Sequence, residues 1–350
     1  MADRGSSSVD TLVLARASAM VLMVANHSRL SQALIDLPAL YGGLNAMLVV
    51  SGISMATHAF QQDTRSTLNA FLRFGLRLAI PALAVALVWD TIILILGARD
   101  ITPFRYFAEL TLFSNWLSTH KLALFPIWYV QAVVQLLAGL ALLFLMTDLT
   151  ARIRAAPMRT CGFLLLGSVA VALLSYSFWD TSRLEDRLPH LLLWNLVLGW
   201  FIWAVQRNLG WTVRSRLLLT ATLLACAALL YLPTGASYGL SRAVWMPLIV
   251  LPVIWWKRVP LPRPLVHAVH LLAQAVFAIF LMHFYVFGLV EEPLLQLGID
   301  QPVMIAGLKL VAGLIVPVLL WAAGTAFIRV WRHRRISRPV DPDRETGAAC

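Results

Sequence analysis

Stretches of mostly apolar residues, bounded by charge, Pro or Gly, recur along the chain from residue 10 to residue 331. A hydrocarbon core about 30 Å thick is crossed by roughly 20 helical residues at about 1.5 Å rise each, so the pattern predicts about ten transmembrane helices. Their approximate ranges are 10–27, 40–60, 74–97, 124–147, 160–178, 188–205, 216–232, 240–256, 266–290 and 302–331. The division at Pro233 and Gly235 rests on turn residues alone. The expected fold is an all-α, polytopic membrane bundle. It forms one membrane domain over 1–331, followed by a basic tail, 332–350, whose Arg, Pro and Asp content predicts a solvated, disordered end.

Charge fixes the expected orientation. Basic residues cluster at Arg65, Arg73 and Arg77, at Arg152, Arg154 and Arg159, at Arg207, Arg214 and Arg216, at Lys257, Arg258 and Arg263, and in the tail from Arg329. The intervening connections hold only the scattered Arg29, Arg99, Arg105, Lys121, Arg183, Arg187 and Arg242. Lys and Arg collect on the cytoplasmic side, so both termini are expected there. With 60% hydrophobic and 13% charged residues the chain lacks the polar side chains to cover a water-facing domain. The net charge of +11 is therefore read as membrane orientation, not as nucleic-acid binding. Cys161, Cys226 and Cys350 are too far apart for a CxxC metal knuckle and form no disulfide framework. Arg16 in the middle of the first run argues for a retained helix over a cleaved signal peptide.

Ionisable residues inside hydrocarbon cost about 2.5–3.5 kcal/mol each on insertion scales, so they mark cavities or partners. The first run carries Arg16 and His27, eleven residues apart. That spacing puts both on one helical face about 16 Å apart. Neutral imidazole suits the removal of a proton from a hydroxyl near pH 7, which makes His27 a candidate general base. Donors for a developing oxyanion are sought among Asn26, Asn45, Ser51 and Trp128. Arg73 and Arg77, four apart on one helical face, form a cationic mouth suited to phosphates. Two readings compete with an enzyme: a transporter or flippase using Arg16 and His27 as a substrate or proton relay, and a haem protein built on His267 and His270.

Several segments, in order, resemble the membrane acyltransferase-3 family. They are Arg16 with His27; Gly43-Leu-Asn-Ala-Met-Leu-Val-Val-Ser51-Gly52; Phe71-Leu-Arg73-Phe-Gly-Leu-Arg77-Leu-Ala-Ile-Pro81; Trp128-Tyr129 with Gln131 and Gln135; and Phe280-Leu-Met-His283. Asn45 stands where that family commonly has an acid, and no Glu accompanies Gln131. The resemblance implies an enzyme of the bacterial cytoplasmic (inner) membrane that moves an acyl group, with acetyl expected, from cytoplasmic acyl-coenzyme A to a hydroxyl of an extracytoplasmic glycan or glycolipid. It implies acyl-coenzyme A as co-substrate with no tightly bound cofactor and no metal. The expected partners are the bilayer, the donor and a carbohydrate acceptor. His27 and Arg16 would be catalytic, Arg73 and Arg77 would hold the donor, and His283 would join the acceptor or oxyanion site.

Overall fold

The computed structural model describes residues 7–35, 40–60, 63–96, 103–117, 127–178, 187–234 and 236–336. A helix occupies each predicted apolar run: α1 (Thr11–Ser28), α3 (Gly43–Ala59), α4 (Thr64–Leu96), α6 (Ile127–Met146), α8 (Pro157–Phe178), α9 (Pro189–Leu209), α10 (Val213–Tyr231), α11 (Ala236–Trp255), α12 (Arg263–Gln296) and α13 (Pro302–Ile336). Three short helices lie between them: α2 (Leu30–Ile35), α5 (Pro103–Leu110) and α7 (Leu149–Ala155). Among the described residues seven helices are long and apolar enough to cross a membrane: α4, α6, α8, α9, α10, α12 and α13. α1, whose apolar run is interrupted by Arg16, Asn26 and His27, and the 17-residue α3 are not among them, and they bury most of their residues against other helices. α11 contributes a shorter apolar helix over Gly239–Trp255. Helix α13 continues through residue 336, into the segment expected to be an unstructured tail; residues 337–350 lie outside the described set.

Connections that the charge pattern assigns to one side do meet. Strand β1 (Ser7–Asp10) pairs antiparallel with β2 (Arg258–Leu261), Ser7 opposite Leu261 and Asp10 opposite Arg258. The segment before α1 and the α11–α12 connection thus share one end of the bundle. Asp10 caps α1 by accepting from the Leu12 amide at 2.8 Å, and Thr11 Oγ1 donates to the Trp256 carbonyl at 2.9 Å. At the other end the Tyr41 amide donates to Ser241 Oγ at 2.9 Å, and Asn115 Nδ2 donates to the Arg187 carbonyl at 3.3 Å. α1 stops there: Arg29 adopts a left-handed φ of 62° and returns its amide to the Asn26 carbonyl, leaving His27 in the last turn.

Helix α9 is the buried axis, with Trp194 and Trp200 fully enclosed. Trp200 meets Phe60 edge to face at 4.9 Å, Phe144 edge to face at 6.1 Å and Phe71 at 6.4 Å, which ties α3, α4 and α6 to it. α3 and α9 cross in close backbone contact. A Cβ on Gly52 would strike the Leu196 carbonyl, and one on Gly199 would strike the Val49 carbonyl. Only glycine permits backbones to cross this closely, as small residues do between membrane helices generally.

Candidate functional site

A cleft of about 130 Å³ opens at the end of the bundle where α1 stops. Asn26 and His27 enter it from α1, Asn45 from α3, and Trp128 from the start of α6. Four of the side chains singled out in the sequence thus line one space. Asn26 Oδ1 is buried there, with no hydrogen-bond partner among the described residues. A buried carbonyl oxygen in that position suits a ligand hydroxyl.

His27 is held by a second histidine. Its Nδ1 lies 2.9 Å from Nε2 of His283 on α12, and the two rings are nearly parallel, 9° apart with centroids at 5.1 Å. His283 is fully buried, and its Nδ1 sits 2.9 Å from the carbonyl oxygens of both Ile279 and Phe280. Carbonyl oxygens only accept, so His283 Nδ1 carries the hydrogen. The neutral ring then has its lone pair on Nε2, which accepts from His27 Nδ1–H. By the same logic the lone pair of His27 falls on Nε2. Phe284 flanks both rings, with centroids 4.6 and 4.4 Å away, so the pair is clamped in orientation by aromatic packing.

Two guanidinium groups that sequence reasoning left unassigned also line the cleft, Arg187 and Arg242. Arg187 is 1% exposed and lies over the Trp128 ring at 5.5 Å. Arg242 lies over Tyr41 at 5.6 Å. A cluster of amides holds this end in place. Gln131 Oε1 accepts from Ser114 Oγ and from the Asn115 amide; Gln135 Oε1 accepts from Asn115 Nδ2 and Trp116 Nε1; Asn115 in turn holds the Arg187 carbonyl. Gln131 and Gln135, legible as a motif on α6, therefore position the wall of the cleft and do not themselves line it. The one sequence signal that Arg187 and Arg242 carry is membership of the sparse cations on their side of the bundle, a set that also holds Arg29, Arg99, Arg105, Lys121 and Arg183.

The other predicted residues are placed elsewhere. Arg16 is half-buried, and its Nη2 donates to Ser54 Oγ of α3 at 2.6 Å; it is not among the cleft residues. Ser51 precedes the Gly52 crossing and does not line the cleft. Arg73 and Arg77 are exposed on α4, with Arg73 Nε donating to the Asn69 carbonyl at 3.2 Å. A second cleft, about 520 Å³, is lined by Arg152 and Arg159 between α7 and α8, at the opposite end of the chain's spans from His27. Glu291 of α12 is paired with Lys309 of α13 at 2.6 Å. His267 is exposed and His270 half-buried on α12, and no group of three His, Cys, Asp or Glu able to hold a metal converges among the described residues. The side chain of Asp90 lies outside the described set.

A family model described as an acyltransferase domain, of the acyltransferase-3 type, matches residues 9–322. No curated protein and no solved structure matches the chain.

Proposed function

Because the chain belongs to the acyltransferase-3 family and is an integral multi-pass membrane acyltransferase, we propose that His27 is the general base of acyl transfer from acyl-coenzyme A to a carbohydrate hydroxyl. The observation that carries this reading is the oriented pair: the Ile279 and Phe280 carbonyls set the tautomer of His283, and His283 sets that of His27, in a cleft. The acceptor hydroxyl gives its proton to His27 Nε2 as its oxygen attacks the thioester carbonyl carbon. The tetrahedral intermediate collapses, the C–S bond breaks, and the imidazolium returns the proton to the departing thiolate. The products are the acyl ester and free coenzyme A, and the histidine is regenerated. Arg187 and the side-chain amides of Asn26 and Asn45 supply donors for the oxyanion. Arg16 braces α1 against α3 through Ser54 and places positive charge on the donor's path.

In the proposed arrangement the chain crosses a bacterial cytoplasmic membrane ten times with both termini in the cytoplasm. The alternation of basic clusters and the contacts within each set of connections support that orientation. The cleft then faces outward, toward an envelope glycan or glycolipid, and acyl-coenzyme A approaches from inside. Arg73 and Arg77 meet its phosphates, and the Arg152–Arg159 cleft adds cationic surface at the same end. Purified chain supplied with acetyl-coenzyme A and a glycan acceptor should release free coenzyme A and yield an acylated sugar, both quantified by mass spectrometry. Release that ignores the acceptor, or none at all, contradicts the reading. Replacing Arg73 and Arg77 together by Ala should raise the donor KM about tenfold while changing kcat less. A fall in kcat at unchanged KM removes them from donor binding.

A further inference from the structure

We propose that the acceptor bears an anionic group, a carboxylate or a phosphate, beside the hydroxyl that is acylated. This rests on the acyl-transfer reading of the same cleft and adds its substrate class. The residues lining the cleft include two guanidiniums, Arg187 and Arg242, and no carboxylate among those described. Each guanidinium carries five donors in a planar fork that matches a carboxylate or phosphate. Both are held in orientation. Arg187 is enclosed, laid against Trp128, and anchored through its own carbonyl by Asn115. Arg242 is laid against Tyr41, whose amide is tied to Ser241 beside it. Preorganised cations of this kind lose little side-chain freedom when an anion docks.

The chemistry of the step makes the same demand. When His27 takes the hydroxyl proton it becomes a cation in the cleft that Arg187 and Arg242 also line. Like charges at close range in a partly desolvated site oppose that transfer. A negative group on the acceptor, held by the guanidiniums, offsets that opposition in the transition state as well as on binding. The location agrees: His27, Tyr41, Arg187 and Arg242 all belong to the end of the bundle opposite the β1–β2 ribbon, which is the acceptor side in the proposed orientation.

The test is sugar binding by the purified full chain in lipid nanodiscs, measured for methyl glucoside, methyl glucuronoside and methyl glucoside 6-phosphate. At least one charged sugar should bind about tenfold tighter than the neutral one, and the comparison of the two identifies carboxylate or phosphate as the recognised group. Arg242→Gln should reduce that preference about fivefold or more, with Arg187→Lys as the second variant because the enclosed Arg187 contributes to packing. Equal binding of the three sugars, binding of none, or an undiminished preference in both variants overturns the proposal. Failure of the acyl-transfer reading is separate: it shows as acceptor-independent or absent coenzyme A release and leaves the binding order intact.

Discussion

Replacing His27 by alanine should slow acceptor-dependent coenzyme A release about 10²–10⁴-fold, the span typical of a lost general base. The thermal transition and helicity should stay near those of the unaltered chain, because His27 ends α1 and partly faces the cleft. Turnover at the original rate would remove it from the chemistry. His283 gives a graded companion test. Glutamine there can still accept from His27 Nδ1–H and donate to the Ile279 and Phe280 carbonyls, whereas phenylalanine fits the surrounding aromatic rings but offers neither. His283→Gln should retain most of kcat and His283→Phe should lose about tenfold or more, with the donor KM little changed in both. Full activity of His283→Phe beside an inactive His27→Ala would dismiss the histidine relay and leave the base assignment standing.

Gly199→Val should remove most folded protein from the membrane fraction. Any Cβ at this position meets the Val49 carbonyl, and the same crossing is closed from the other side by Gly52 against Leu196. Neither obstacle is a flexible side-chain tip, so relief requires α3 and α9 to separate. Overpacking of ordinary cores costs about 1–3 kcal/mol, and a backbone clash at the buried axis of the bundle belongs at or above the top of that range. Gly139→Ala is the control, since a methyl group there meets nothing within 4 Å. Fluorescence-detected size-exclusion yield and melting temperature should separate the two variants. A Gly199→Val chain as stable as Gly139→Ala would mean that the crossing is looser than described.

The apolar runs located the helices well because the bilayer imposes one length and one composition on every span. α1, α3 and α6 begin within about three residues of the predicted positions, whereas α4 starts at Thr64, some ten residues early, because its polar first turns give no hydropathy signal. The β1–β2 ribbon went unread for a related reason: each strand has four residues, and their pairing joins positions about 250 residues apart. His27, Asn26, Asn45 and Trp128 were legible because polar groups in an apolar helix stand out, and the structure gathers them in one cleft. Arg16 and His27 share a helix face by spacing, yet each answers to a different neighbour, Ser54 of α3 and His283 of α12.

Sequence alone determined that this chain is a bundle of membrane helices, which runs form them, how the basic residues distribute between alternate connections, and that the first apolar run carries an Arg and a His. These are local properties, set by side-chain polarity and helical period. Only the tertiary structure decided that His283 orients His27, that Gln131 and Gln135 brace a wall, and that Arg187 and Arg242 complete the cleft. Those contacts depend on which helices become neighbours, and that follows from packing at crossings such as Gly52 with Gly199, where the shape of two surfaces is decisive and no single stretch of sequence contains both.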